Sequence, residues 1–238
     1  MTNSEASAAP SGRASSTHSV IAIDGPAASG KSSVARERAR RLRFVYVNSG
    51  AMYRAVTWFV LDRGVNPRDP AAVAAAIDRA RIECDLHDDS SRLFIDGTDP
   101  ETHLRDVRVN EGVSVVSSVP RVREILVEKM RGYARASDVV MEGRDIGSVV
   151  FPDTPYKFYI DAAPEIRSQR RAAQGQADQI AARDQADSSR TASPLTIARD
   201  SHVIDSTALT IDAVVQEIIA QLRAKGLPLA GHEQPSHA

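Results

Sequence analysis

Asp24-Gly25-Pro26-Ala27-Ala28-Ser29-Gly30-Lys31-Ser32-Ser33 is the stretch on which the fold turns. It fits G-x-x-x-x-G-K-[ST] at every fixed position, and both flanks suit it. Before it runs Ser19-Val20-Ile21-Ala22-Ile23, short, apolar and β-branched, the pattern of a buried strand. After it, Lys31 to Leu42 is rich in Ala, Arg and Glu, with Val34, Ala35, Ala39 and Leu42 at helical spacing. Strand, glycine-framed loop and helix in that order make an anion cradle. The glycines let the backbone fold over a triphosphate, and the helix N-terminus adds partial positive charge. Gly25, Pro26, Ala27, Ala28, Ser29, Gly30, Lys31, Ser32 and Ser33 are therefore the expected phosphate grip. Lys31 reaches the β- and γ-oxygens, Ser32 helps place Mg²⁺, and Ser33 adds a hydroxyl.

Outward from the loop, apolar runs alternate with helical periods. Phe44 to Val47, Ser137 to Glu142, Lys157 to Asp161 and His202 to Asp205 read as strands. Ala51 to Leu61, Pro70 to Ala80, Val107 to Val119, Pro120 to Ala134, Pro164 to Ala173 and Thr210 to Lys225 read as helices. With the first strand this predicts an α/β fold: a doubly wound, five-stranded parallel sheet with ligands at the carboxyl ends of its strands. Alternation at Ile82, Cys84 and Leu86, a turn at Asp88 to Ser91, and Leu93-Phe94-Ile95 signal a hairpin that interrupts the series. The expected division is a core of residues 19–63 and 106–226, an antiparallel insert at 64–105 and a short polar lid at 174–190. Flexible tails are expected at 1–18 and 227–238.

Composition narrows the function classes. The chain has 238 residues and a formal net charge of −1, so no global field draws it to nucleic acid or an anionic membrane. Of its 30 basic residues only Lys31, Lys129, Lys157 and Lys225 are lysines; arginine suits phosphate oxygens, but a GC-rich genome accounts for most of the bias as a whole. The single cysteine, Cys84, excludes an internal disulfide and fits a reducing compartment. No apolar run approaches the ~20 residues that span a bilayer. A cytoplasmic monomer with small-molecule partners is expected.

A GTPase switch would carry an Asn-Lys-x-Asp segment, and no Asn-Lys dipeptide occurs. A motor ATPase would show an Asp-Glu pair at a strand end, which is also missing from the sequence. A small-molecule kinase needs a second anion site facing the loop and an arginine-bearing cover. Asn48-Ser49-Gly50-Ala51-Met52-Tyr53-Arg54, Glu142-Gly143-Arg144-Asp145-Ile146-Gly147 and Arg183-Asp184-Gln185-Ala186-Asp187-Ser188-Ser189-Arg190 can supply them. A nucleotide-binding regulator without a phosphoryl acceptor is the rival from another class.

These segments, with Pro120-Arg121-Val122-Arg123, Ser148-Val149-Val150-Phe151-Pro152 and Ser193-Pro194-Leu195, resemble the bacterial cytidylate kinase family across about residues 19–226. The resemblance implies ATP-dependent phosphorylation of CMP and dCMP in pyrimidine metabolism, with ATP and Mg²⁺ bound at the loop. It implies that Ser49, Tyr53, Arg54 and Arg144 line the monophosphate site, and that Ser114, Arg123 and Asp145 read the cytosine. Arg183 and Asp187 would hold the ribose, Arg190 would approach the phosphates, and Lys31, Arg144, Arg183 and Arg190 would serve catalysis. The insert would close over CMP.

Other readings of single residues stand beside these. Ser114 and Tyr53 also suit plain packing, and Arg121 and Arg123 suit solvated charges, although arginine in a first helical turn opposes the dipole. Arg167, Arg170 and Arg171 share a helical face that suits phosphate contact or solvent equally. Glu142 stands where the family often has Asp, and the segment 172–182 is shorter than the family's usual cover.

Overall fold

The computed structural model describes residues 18–173, 184, 185, 187, 188 and 195–228. Five core strands run parallel to one another: β1 (Val20–Asp24), β2 (Val45–Asn48), β5 (Val139–Gly143), β6 (Tyr156–Asp161) and β7 (His202–Asp205). The hairpin of β3 (Ile82–His87) and β4 (Ser90–Ile95) is antiparallel within itself. It does not stand apart from them. Strand β4 pairs with β2 at Tyr46 and Ser90, which makes one sheet of seven strands in the order β3-β4-β2-β5-β1-β6-β7. Strand β4 runs parallel to β2, so six strands share one direction and only β3 opposes them; the expected count of five describes the sheet without the hairpin. The hairpin attaches because Tyr46 N–H finds the Asp89 carbonyl at 2.8 Å and Tyr133 Oη donates to the carbonyls of Asp85 and Arg92.

Helices cover both faces. On one side α1 (Lys31–Leu42) and α7 (Ile211–Ala224) bury Val34, Leu42, Val215 and Ile218 against Ile21, Ile23, Val140 and Phe158. On the other, α2 (Ser49–Asp62), α3 (Pro70–Asp78), α4 (Val107–Val116) and α5 (Pro120–Ala136) bury Val56, Ile77, Val113 and Leu126 against Ala22, Val47 and Met141. Strand β5 is buried at all five positions, which explains its unbroken apolar start rather than an alternation. Helix α6 (Pro164–Ala173) follows β6 and leads toward the polar segment.

Element ends moved from their sequence-based bounds for local reasons. Helix α2 begins at Ser49, two residues early, because the Asn48 side chain accepts the Ala51 N–H and caps it. Helix α4 stops at Val116, where Ser117 and Ser118 turn their hydroxyls onto the carbonyls of Ser114 and Val115. A single π-helical turn, Ile146–Val150, follows β5 and has no signature in apolar spacing.

Candidate active site

The loop after β1 adopts the backbone that its glycines permit. Gly25 has φ 152°, Ala28 φ 58° and Gly30 φ 92°. A Cβ on Gly25 would sit 2.1 Å from the Ile160 carbonyl oxygen, so this position accepts glycine only. The first intrahelical bond of α1 runs from Val34 N–H to the Gly30 carbonyl, and no acidic residue stands in its first turn. The helix thus opens toward the cleft with its positive end. Lys31 is buried and donates to the Pro26 carbonyl at 2.9 Å, curled over its own loop.

Ser32 Oγ donates to Glu142 Oε1 at 2.8 Å, and Tyr46 Oη donates to the same oxygen at 3.3 Å. Burial, with the Glu142 carboxylate beside it, holds the Tyr46 phenol well above its ordinary range, so it remains a donor. A hydroxyl and a carboxylate beside a phosphate site are hard oxygen donors of the kind Mg²⁺ takes. Among the described residues no cluster of three or more His, Cys, Asp or Glu could hold a metal alone. Phosphate and water oxygens would complete such a shell.

Across the cleft, Ser49 Oγ donates to the Glu142 carbonyl at 2.7 Å and ties the start of α2 to the end of β5. Arg54 lies one turn on: a Cβ placed on Gly50 would meet its Nη1 at 3.2 Å, so the guanidinium folds back over the helix start. Arg144 donates from Nε to the buried Asp187 carboxylate at 2.8 Å. Arg123 and Asp145 form a buried ion pair, and Arg123 also donates to the Ser117 carbonyl at 3.3 Å. Its guanidinium lies 5.5 Å from the centre of the Tyr53 ring, a cation–π contact. Arg123 is thus buried chemistry and not a solvated charge, whereas Arg121 is exposed and pairs with Asp78 and Glu124.

The arginines of α6 are settled as well. Arg167 is buried, pairs with Asp184, and donates to the Ala27 carbonyl at 3.3 Å, while Asp184 accepts the Ala27 N–H at 3.3 Å. Arg170 donates to the Ser29 carbonyl at 3.3 Å and to Ser206 at Oγ, 3.1 Å, and at the carbonyl, 2.7 Å. Both arginines grip the backbone of the phosphate loop, so a solvated stripe is wrong for them. Arg183 and Arg190 lie outside the described residues.

Sequence reasoning gave no role to Asp24. It is 4% exposed and accepts the N–H groups of Ile146 at 2.8 Å and Gly147 at 2.7 Å. Burial outweighs these donors and raises its pKa to about 7, with nearby Asp145 adding to the rise and Lys31 opposing it. Its partners are 122 and 123 residues away, so no local pattern could have exposed it.

One cleft of about 500 Å³ takes in both sides. It is lined by residues 27–34 of the loop and by Asn48, Ser49, Tyr53, Arg54, Ser114, Arg123, Glu142, Arg144, Asp145 and Asp187. A P-loop that opens into a cleft also lined by Arg54, Arg123 and Arg144, on the carboxyl edge of a parallel sheet, has the architecture of a P-loop kinase.

The particular family follows from comparison with known proteins. The profile of the family described as "Cytidylate kinase" matches residues 21–224. The cytidylate kinase of Corynebacterium efficiens is 44% identical over 84% of this chain and 92% of its own. That of Caldanaerobacter subterraneus subsp. tengcongensis is 42% identical over 85% and 94%, and that of Mycolicibacterium paratuberculosis 43% over 84% and 92%. The chain belongs to the cytidylate kinase family and is a transferase that phosphorylates a nucleoside monophosphate.

Proposed function

We propose that the protein transfers the γ-phosphoryl group of ATP in line to the phosphate of CMP and dCMP, giving CDP and dCDP in pyrimidine metabolism. The observation that carries this reading is that one cleft is lined by Lys31, Arg54 and Arg144 together. The attacking atom is an oxygen of the acceptor phosphate, already ionised near pH 7, so no side chain need act as base. Gly25 to Ser33 hold the ATP phosphates, and Lys31 leaves the Pro26 carbonyl to reach the β- and γ-oxygens. Mg²⁺, held partly through water by Ser32, supplies charge neutralisation on those oxygens when bound.

Ser49, Tyr53, Arg54 and Arg144 take the acceptor phosphate. Ser114, Arg123 and Asp145 read the base: a carboxylate accepts from the cytosine N4 amine, a donor that uracil lacks. The ion pair with Arg123, whose guanidinium packs on the Tyr53 ring, restrains Asp145 before substrate arrives, which lowers the ordering cost of binding. Asp187 and Arg183 hold the ribose, Arg190 approaches the phosphates, and Lys31, Arg144, Arg183 and Arg190 share the transferring charge. The segment 64–105 closes over the acceptor, and 174–190 serves as the lid. The same reading makes the protein a cytoplasmic monomer with no nucleic-acid or membrane partner. No helix among the described residues is long and apolar enough to cross a membrane.

A coupled assay for ADP tests the reading, with CMP, dCMP, UMP, AMP, dTMP and water as acceptors. CMP and dCMP should be used best. ADP release that ignores the acceptor, or a preference for AMP or dTMP, defeats it. Lys31→Ala should remain folded and lose at least about a hundredfold in kcat.

A further inference from the structure

The π-helical turn Ile146–Val150 starts directly after Asp145. A helical turn begins with N–H groups that have no acceptor inside it, and an aspartate just before it normally turns its carboxylate onto them. Asp145 holds that position but makes no such bond; it pairs instead with Arg123 in the cleft. The amides are satisfied from another strand. Asp24 Oδ1 accepts Ile146 N–H at 2.8 Å and Asp24 Oδ2 accepts Gly147 N–H at 2.7 Å. Asp24 is the last residue of β1, and it is not among the side chains that line the cleft. The turn is packed closely on β6 as well: a Cβ on Gly147 would lie 3.1 Å from Lys157 Cγ and 3.4 Å, an ordinary contact, from Asp24 Oδ2.

We propose that Asp24 is a positioning residue for acceptor recognition: it caps the Ile146–Gly147 turn in place of Asp145 and so keeps the Asp145 carboxylate turned into the cleft. The proposal rests on the reading of Asp145 as the group that recognises the cytosine amine. An aspartate beside uncapped amides has a strong local alternative to any distant partner. With Asp24 on those amides the alternative is closed, and Asp145 stays on Arg123. Asp24 thereby joins the donor loop, which starts at the next residue, to the acceptor loop that carries Arg144 and Asp145.

The experiment compares kcat/KM for CMP and for UMP, and KM for ATP, in the wild type, Asp24→Asn, Asp145→Asn and the double variant. Asparagine keeps one acceptor oxygen but presents an NH2 group to the second amide. Asp24→Asn should lower the CMP-over-UMP ratio about tenfold, chiefly through KM for CMP, with KM for ATP unchanged. In the Asp145→Asn background it should add nothing to that loss. A ratio that Asp145→Asn lowers but Asp24→Asn does not, or losses that add in the double variant, overturns this proposal alone. A ratio unmoved by Asp145→Asn overturns the base-reading assignment and this proposal with it. If Asp24→Asn does not fold, Asp24→Glu carries the test, because its extra methylene keeps the charge but displaces the carboxylate from the two amides. The same fall in ratio is expected, and a wild-type ratio in that folded variant overturns the proposal.

Discussion

Asp24 carries a charge that its surroundings resist. Burial lifts its pKa from 3.8 to about 7 although two backbone N–H groups and Lys31 favour the carboxylate. Between those values the folded chain binds a proton that the unfolded chain has released. Stability from this group is therefore complete below pH 4 and is lost as pH rises through about 7. Asp24→Asn cannot titrate, so the stability of the wild type relative to this variant should fall by roughly 2–3 kcal/mol between pH 5 and pH 7. Urea unfolding of both proteins across that range measures it, and parallel curves would show that Asp24 ionises normally. The charged and titratable groups facing it are Lys31 from α1, Asp145 from the acceptor loop and Tyr159 from β6. At this scale the sequence was legible where chemistry is local. The loop from Gly25 to Ser33 has fixed spacing, and Arg123 stood out because it opposes its own helix dipole. Asp24, Arg167 and Arg170 were opaque because each acts on backbone atoms far along the chain.

Elements were read well where their period is long and their faces differ. Helices α1, α5 and α7 and the buried strands β1, β5 and β6 lie close to their expected bounds. The hairpin was visible as two alternating runs, but its membership of the main sheet depends on one bridge, Tyr46 to Ser90, which no alternation encodes. The arginine face of helix α6 suits phosphate contact or solvent equally by sequence, yet Arg167 and Arg170 brace the phosphate loop itself. Arg170 serves three acceptors at once, the Ser29 carbonyl and two oxygens of Ser206, and Ser206 Oγ itself donates to the Ser29 carbonyl at 2.8 Å. The loop is thereby held from α6 and from the end of β7 together. Arg170→Ala should leave the helix intact and raise KM for ATP about tenfold or more, since hydrogen bonds from a charged donor are worth roughly 1.5–3 kcal/mol. Arg170→Lys should recover little, because an ammonium group cannot reproduce the planar fork. Steady-state kinetics against ATP at saturating CMP decide it, and a full rescue by lysine would reduce Arg170 to a simple point charge.

The whole molecule is two apolar layers sharing one sheet, with the cleft along the sheet's carboxyl edge. Because the loop residues extend directly from β1, ligand binding and core packing act on the same strands. Phe158 makes the link measurable. It lies on β6 beside β1, is fully buried, and packs in the layer formed by α1 and α7. Phe158→Ala removes a ring that the surrounding strands cannot collapse to fill, at a cost of about 3–5 kcal/mol. That is a large share of a total stability of roughly 5–15 kcal/mol. The defect lies behind the cleft and not in it, so the folded fraction of the variant should still bind nucleotide. A ligand that binds only the folded state returns stability as RT ln(1 + [L]/Kd), about 2.7 kcal/mol at a hundred times Kd. Thermal unfolding of Phe158→Ala should therefore show a markedly lower midpoint without ligand and a substantial recovery with saturating ATP. A variant that loses stability but gains none of it back with ATP would mean that the phosphate loop is not assembled when the core beneath β6 is loosened, and that the two share a single cooperative unit down to the side chain.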